Sequence, residues 1–375
     1  MKTHICLVSA QAAPNLLPAL DPGLKPQQVI LLVSPAMQRA AQSLEAVFKE
    51  TGIKTKIYPV PDVHKYSQIE DALLTLAAEL EGQETYLNLT GGTKLMALAA
   101  QIVAQEAQWR SFYVDLDTDQ VIWLNRDSPP QLLEDQLRLR HYLRSYGFDL
   151  KEPPARPQSN AAQQHLTQTL VSLVGNLEKP IAQLNWLAQQ AEERNQLTIQ
   201  LSPEHQGDYQ FVTLLKDFAQ AGVFQFTANG SGIKFADQES RNYTKGGWLE
   251  SYVFDCVTRV GTELRIRDKA SNLKVISQGV ENELDIAIMA HNRLFLIECK
   301  TARMDQPQSP KANDALFKLE GLCRRIGGIG TRGMLASYRG LRDSEKKLAT
   351  ALKIELVCGR ELGQLDQHLR RWIGK

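Results

Sequence analysis

The chain has 375 residues, 43% of them apolar and 23% charged, an ordinary soluble composition with length for two or three domains. Lys and Arg number 43 against 42 Asp and Glu, so the formal net charge is only +1. This excludes a globally basic nucleic-acid-binding body and leaves only local basic patches for such a partner. No run of about eighteen uncharged apolar residues occurs, the N-terminus leads into a strand pattern instead of a signal peptide, and the five cysteines form no CxxC pair. The expectation is a cytoplasmic protein with no membrane partner, no disulfide frame and no cysteine zinc site.

From residue 3 to 125, apolar strand patterns at 5–9, 29–33, 56–60, 85–89, 111–116 and 121–124 alternate with helical stretches near 15–19, 36–50, 67–80 and 93–105. Alternation of this kind predicts a parallel sheet covered by helices, a Rossmann-like α/β domain over 1–130. Such sheets bind ligands beyond the carboxyl ends of their strands, which nominates the loops Ser9-Ala10-Gln11, Ser34-Pro35 and Thr90-Gly91-Gly92-Thr93-Lys94. In the last of these, two glycines let backbone approach a ligand and a helix start offers unpaired N–H groups. Thr93 and Lys94 add a hydroxyl and a cation suited to phosphate, although the spacing is not that of a Walker A loop.

Residues 126–165 are rich in Pro, Arg, Asp and Gln, including Pro129-Pro130 and Pro153-Pro154-Ala155-Arg156-Pro157, and read as a boundary. We place a linker at 131–164 with one bridging helix at 132–146. Over 165–244 the pattern is mainly helical, with helices at 163–177 and 210–221 and short strands near 223–226 and 233–235. A small helical or winged-helix-like module fits, and with no base-reading signature its default role is a spacer or a dimer contact.

The last domain, 245–375, opens on an amphipathic helix in which Trp248, Leu249, Tyr252, Val253, Cys256, Val257 and Val260 repeat at helical spacing. Strands at 263–267 and 273–277, a hairpin over 283–300, a helix at 312–326, a strand at 333–337, a helix at 344–352 and a strand at 354–358 follow. In the hairpin, His291-Asn292 separates two apolar runs, so antiparallel partners keep a constant sum of residue numbers. Ala290 then faces Arg293, Ile288 faces Phe295, Asp285 faces Glu298 and Glu283 faces Lys300. The two-residue repeat places all four charged residues on one face. Facing carboxylates repel, and two readings account for them: a divalent cation held by Asp285 and Glu298, with Lys300 beside it, or a salt-bridged strand end. Glu250, one turn into the opening helix, is either a further ligand or ordinary dipole complementation.

The hairpin charges, the acidic helix before them and the α-β-β-β-α-β order resemble the PD-(D/E)XK nuclease superfamily. In that pattern the Asp carries over to Asp285, the (D/E)XK to Glu298-Cys299-Lys300 and the helix Glu to Glu250; Leu284 stands where proline often precedes the Asp. The resemblance implies phosphodiester hydrolysis with Mg2+ or Mn2+, Asp285 and Glu298 coordinating the ion, Lys300 steadying the attacking water and Glu250 completing or orienting the shell. Glu283 is read as the partner of Lys300, with a further metal ligand as its alternative, and Lys318 as a solvated lysine with phosphate contact as its alternative. Candidate backbone-tracking cations are Arg265, Arg267, Lys269, Lys274, Arg324, Arg325, Arg339, Arg342, Lys346 and Lys347.

The glycine loop after the fourth strand, with the polar loop after the first, resembles the CARF sensor domains of type III CRISPR systems. These bind cyclic oligoadenylates across a homodimer axis. The resemblance implies an activator site from Ser9, Gln11, Asn15, Ser34, Thr90, Gly91, Gly92, Thr93 and Lys94 of each subunit, since cyclic tetra-adenylate has two-fold symmetry. The whole order resembles the CRISPR ancillary nucleases: a Rossmann-like CARF domain, a small helical or winged-helix-like module and a restriction-endonuclease-like α/β domain. It implies a homodimeric endonuclease, switched by cyclic oligoadenylate, that cuts DNA, with RNA as a second candidate substrate. The rivals are a constitutive repair or restriction-type nuclease and a non-catalytic nucleotide-responsive regulator.

Overall fold

In the N-terminal domain the chain runs through β1 (Lys2–Leu7), α1 (Ala13–Leu20), β2 (Gln28–Val33), α2 (Gln38–Glu50), β3 (Lys54–Pro59), α3 (Tyr66–Glu79), β4 (Glu84–Asn88), α4 (Lys94–Glu106), β5 (Arg110–Asp115), β6 (Gln120–Trp123) and β7 (Gln131–Leu132). The computed structural model describes residues 1–60, 62–124, 128–154, 159–301, 311–327 and 330–374; Ala155, Arg156 and Pro157 of the expected Pro-rich boundary lie outside them. The strands order as β3-β2-β1-β4-β5-β6-β7, parallel through β5 and antiparallel beyond. Alternation along β1 divides its side chains between two cores: Cys6 and Val8 face the core that includes α1 and α2, while Ile5 and Leu7 face α3 and α4. Strand order reverses between β1 and β4, so the crevice beyond their carboxyl ends is a topological switch point, and the loops Ser9-Ala10-Gln11 and Thr90–Lys94 open onto it.

The bridging helix is shorter than the sequence suggests. Only α5 (Leu139–Ser145) is helical, because the stretch before it is drawn out by tertiary hydrogen bonds: Glu134 N–H donates to Asp21 Oδ2 at 2.9 Å, and Asp135 accepts from His291 N–H at 2.9 Å. After α5, β8 (Asp149–Leu150) joins the sheet of the last domain.

The middle of the chain contains α6 (Ala161–Ser172), α7 (Glu178–Glu193), β9 (Thr198–Gln200), α8 (Pro203–Gly207), α9 (Tyr209–Gln220), β10 (Phe224–Phe226) and β11 (Gly232–Phe235). From α7 onward the helix, strand, two helices and two strands, with sheet order β10-β11-β9, have the winged-helix arrangement. Helix α7 is absent from the sequence expectation, although Ile181, Leu184, Ala188 and Ala191 recur at helical spacing and Pro180 sits in its first turn.

The last domain comprises α10 (Gln238–Asn242), a π-helical turn Tyr243–Gly247, α11 (Trp248–Val260), β12 (Asp268–Ser277), β13 (Val280–Ala290), β14 (Arg293–Lys300), α12 (Lys311–Gly327), β15 (Arg332–Ser337), α13 (Asp343–Ala351), β16 (Glu355–Cys358) and α14 (Leu365–Ile373). Its six-stranded sheet orders as β16-β15-β14-β13-β12-β8. The strand expected at 263–267 is a turn instead, with Arg265 left-handed at φ 50°, and a single long β12 replaces the two predicted strands. One face of this sheet shares a core with α1, α2 and α5 of the first domain, and the other with α7, α9 and α11. Among the described residues no helix is long and apolar enough to cross a membrane.

Candidate active site

The hairpin folds as its numbering dictates up to a definite point. His291 and Asn292 are both left-handed, at φ 50° and 54°, as a two-residue type I′ turn requires, and the Asp135 carboxylate accepts both of their N–H groups. The ladder runs from Ala290 opposite Arg293 to Ile286 opposite Ile297, in the expected register, and ends there. Asp285 is the next residue, and its Oδ2 accepts the N–H of Cys299 at 2.7 Å in place of a backbone carbonyl.

Beyond Ile286 the two-residue count fails. Ala287 and Met289 share one core with Leu284, so the inward parity of β13 slips by one at Asp285, and that of β12 slips opposite it, from Ala270 to Leu273, at the left-handed Asn272. This slip corrects the assignment of Glu283 to Lys300. Lys300 Nζ lies 2.6 Å from Glu298 Oε1 and 3.8 Å from Asp285 Oδ2, and among the described residues no ion pair joins it to Glu283. Lys318 of α12 also reaches Glu298 Oε1, at 3.4 Å, so it belongs to the cluster and not to a purely solvated face. Glu298 is 3% exposed, and a carboxylate so buried needs those two ammonium groups.

Glu250 approaches from the other side of the splayed strands, on the first turn of α11. A close contact puts it there: a Cβ on Gly246, at φ 149°, would fall 2.6 Å from Thr301 Oγ1, next to Lys300. Glu250, Glu283, Asp285, Lys300, Ser271, Asn272 and Lys274 line a cavity of about 580 Å³, closed on its far side by Glu192 of α7, Glu239, Asn242, Tyr243 and Lys245. The middle module is therefore a wall of this site rather than a spacer. Its α7 is tied in where the Asn185 amide lies 2.9 Å from the Thr301 hydroxyl and where Glu192 pairs with Lys245 at 2.7 Å.

Burial, then the charge of Glu298, pushes Asp285 up to about 6; burial, then Asp285 and Glu283, pushes Glu250 up to about 7. Burial acts to lower the Lys300 ammonium, but Glu298 and Asp285 outweigh it and hold it above its ordinary value. The arrangement is thus a group of crowded carboxylates beside a permanent cation. Among the described residues no cluster of three or more His, Cys, Asp or Glu stands assembled around one point. The carboxylate oxygens of Asp285 and Glu298, in surroundings that disfavour their uncompensated charge, fit a hard divalent cation such as Mg2+ or Mn2+.

The nominated sensor residues gather at the β1/β4 switch point, with different duties. Ser9 Oγ accepts Gln11 N–H at 3.3 Å and shapes the first loop. Thr90 is tied to Asn88 Oδ1 and accepts Val114 N–H, while Thr93 caps α4 by accepting Met96 N–H at 3.2 Å. Gly91 and Gly92 lie against Leu7, and Lys94 is exposed at the helix start. Ser34 is buried as β2 ends. Asn15 is buried too, its amide donating to Leu7 O at 3.0 Å and accepting from Asn88 at 3.0 Å, so in this conformation it holds the loops in place. Gln11 reaches Tyr146, just past α5, at 3.5 Å.

Of the candidate backbone-tracking cations, Lys274 lines the cavity beside Glu250 and Asp285, and Arg324 and Arg325 lie on the exposed side of α12. Arg339 is instead buried against Glu178 at the start of α7, a structural contact.

The sequence matches the Card1 CARF domain over residues 3–142 and the Card1-like endonuclease domain over residues 237–375. The chain belongs to the CRISPR ancillary nucleases that join these two domains. Two solved structures share the fold over the whole length of the chain. Protein VC1899 from Vibrio cholerae is 28% identical with a TM-score of 0.91, covering 100% of this chain and 98% of that one. Can2 from Sulfobacillus thermosulfidooxidans, in complex with cyclic tetra-adenylate, is 25% identical with a TM-score of 0.83, covering 100% and 99%. A type III CRISPR defence DNA nuclease activated by cyclic oligoadenylate shares the fold at 19% identity and a TM-score of 0.57, over 99% of this chain and 52% of that one. No curated protein matches the sequence. In this CARF–endonuclease chain the hairpin cluster lies inside the endonuclease match and the switch-point loops inside the CARF match.

Proposed function

We propose that this protein is a metal-dependent endonuclease, active on DNA with RNA as the second candidate substrate, that is switched on when cyclic oligoadenylate, with cyclic tetra-adenylate the expected ring, binds at the β1/β4 switch point. The observation that carries the reading is that Glu250, Asp285 and Lys300 line one cavity at the unpaired end of the hairpin, with Glu298 joined to Lys300 at 2.6 Å. Asp285 and Glu298 would hold Mn2+ or Mg2+, with Glu250 at the margin. Bound there, the ion supplies Lewis acidity toward a phosphate oxygen and makes water more acidic. The chain's own groups do the rest. Lys300, whose proton affinity its two carboxylate neighbours hold above the ordinary value, is placed to act as a hydrogen-bond donor and cation that holds the attacking water and offsets charge developing on the phosphate. Glu250, with its proton affinity raised toward neutrality, can take up or release a proton at its carboxylate near pH 7. The test is cleavage of single-stranded DNA, supercoiled DNA and RNA with Mn2+ or Mg2+, with and without cyclic tetra-adenylate. Cutting that ignores the ring would favour the constitutive nuclease, and tight ring binding with no cutting would favour the regulator.

Leu95, Leu98 and Ile102 form an exposed apolar stripe on α4, directly after the glycine loop, with Leu74 of α3 also exposed. We assign this stripe to a homodimer contact that sets two activator loops side by side. Leu98→Asp is expected to convert the dimer to monomer in light scattering and to lower the affinity for the ring at least tenfold; a variant that stays dimeric would remove the stripe from the interface.

The raised carboxylates also set a pH dependence. Asp285 and Glu250 bind protons more tightly in the folded protein than in the unfolded chain, whose carboxyls titrate near about 4. The folded state therefore holds the extra protons, and the contribution of these groups to stability falls as pH rises from about 4 through about 7. Melting of the metal-free protein should show this decline, and Glu250→Gln should flatten it. Mn2+ must displace the same protons, so it should raise Tm more at pH 8 than at pH 6; an equal rise at both would contradict the ligand assignment.

A further inference from the structure

Helix α7 has two working faces. Asn185 and Glu192 look toward the catalytic cavity, while Trp186, Gln190 and Arg194, turned roughly 100° or more around the helix, line a separate groove against β9. That groove encloses about 600 Å³ and is completed by Thr198, Gln200 and His205. We infer that it is a second nucleic-acid subsite, which seats an unpaired base of a single-stranded polynucleotide running out of the catalytic cavity. The inference rests on the nuclease reading above.

Three observations carry it. Trp186 is 55% exposed, in a module whose other large aromatics mostly fill its core, so its ring offers a free stacking face. Only an unpaired base can use such a face fully, because duplex bases are already stacked on their neighbours. The charge pattern agrees: among the described residues no carboxylate lines the groove, the one joined to its lining being Glu193, which accepts from Gln190 at 2.9 Å, whereas Glu192, Glu239, Glu250, Glu283 and Asp285 surround the catalytic cavity. Among the described residues Arg194 makes no ion pair; its one side-chain bond is a long 3.5 Å contact to Gln190 Oε1, which leaves the guanidinium for a phosphate. Finally, the two sites are separated by one helix, roughly 10 Å across, so nucleotides a few positions apart on one strand can occupy both. The α9 surface used for groove reading in many winged helices offers less here: its exposed residues are Tyr209, Gln210, Thr213, Lys216 and Gln220, with one cation among them.

The test uses the full-length protein with cyclic tetra-adenylate, in EDTA so that strands stay intact, and fluorescence anisotropy of labelled 12-nucleotide DNA, RNA and the matching duplexes. Trp186→Ala should weaken single-strand binding about tenfold, Trp186→Phe should restore most of it, and the preference for single strand over duplex should shrink. Arg194→Ala should weaken binding and lower the salt slope by about one. Tyr209→Ala should bind as wild type. Loss confined to the DNA or the RNA arm would name the strand the groove prefers and still support it. Wild-type binding by both Trp186→Ala and Arg194→Ala, or a loss produced by Tyr209→Ala instead, would overturn the inference. Hydrolysis of bis(4-nitrophenyl) phosphate by wild type in Mn2+ is read separately: its absence, together with absent strand cutting, counts against the nuclease reading without touching the binding result.

Discussion

Asp285→Asn is expected to lower strand cleavage by about 10³-fold or more while the metal-free protein at pH 8 melts at the same temperature as wild type or higher. The two halves of this result come from one geometry. Asp285 is mostly buried, its Oδ2 accepts the N–H of Cys299 at 2.7 Å, and its proton affinity is raised by burial and by Glu298. An asparagine keeps the acceptor for Cys299 and removes a charge that the fold tolerates poorly at pH 8, so the ladder end survives and the repulsion is relieved. What disappears is the anionic oxygen that a divalent cation needs. Cleavage and melting have to be measured on the same preparation. A variant that keeps more than a tenth of wild-type cutting would sink the assignment of Asp285 to the reaction; one that loses cutting only because it no longer folds would show the carboxylate to be structural.

Gly91→Ala should abolish the response to cyclic tetra-adenylate, with ring affinity falling about 100-fold or more. A Cβ at this position would lie 2.1 Å from Leu7 O and 3.1 Å from its carbonyl carbon, inside any real contact distance. Leu7 cannot yield, because it is fully buried in the sheet and its carbonyl already accepts the Asn15 amide at 3.0 Å. The Thr90–Lys94 loop must instead lift away from the Ser9–Gln11 loop, at a cost of about 1–3 kcal/mol in packing, and the cleft between them opens. Titration calorimetry with the ring and ring-stimulated cutting are the two readouts. A variant with wild-type affinity would move the activator site away from these loops.

Much of this was legible in the residues. The parallel sheet of the first domain follows from strand and helix alternation, and the hairpin register from a constant sum of numbers that holds from Ala290 to Ile286. Counting failed one residue later, because periodicity carries no notice of Asn272 turning left-handed and shifting both strands; Glu283 was therefore set opposite the wrong partner. Lys318 was ambiguous for a different reason: a lysine on the exposed side of a helix looks the same in sequence whether its ammonium meets water or Glu298. Helix α7 did have a signal, in Ile181, Leu184, Ala188 and Ala191, diluted by the glutamines between them. Its role as a wall of the cavity depends on contacts with Thr301 and Lys245, more than fifty residues away, which no local pattern encodes.

The hairpin joins more than two strands. At its turn, Arg293 donates to the carbonyl oxygens of Leu116 and Asp117 in the β5–β6 turn of the CARF domain, both at 2.9 Å, and at its other end stand Glu298 and Lys300. From Arg293 to Lys300 the strand spans about 23 Å, paired with β13 from Arg293 to Ile297 and with β15 from Phe295 to Lys300, with no glycine or proline between. A strand so held is stiff, and a tilt of the CARF domain would carry to Glu298 and Lys300 at its far end. The give in this linkage lies past Ile286, where β13 and β14 no longer pair and Asp285 reaches the neighbouring strand through its bond to the Cys299 N–H and its ion pair with Lys300, so the distance between Asp285 and Glu298 is the quantity that such a tilt would adjust most directly.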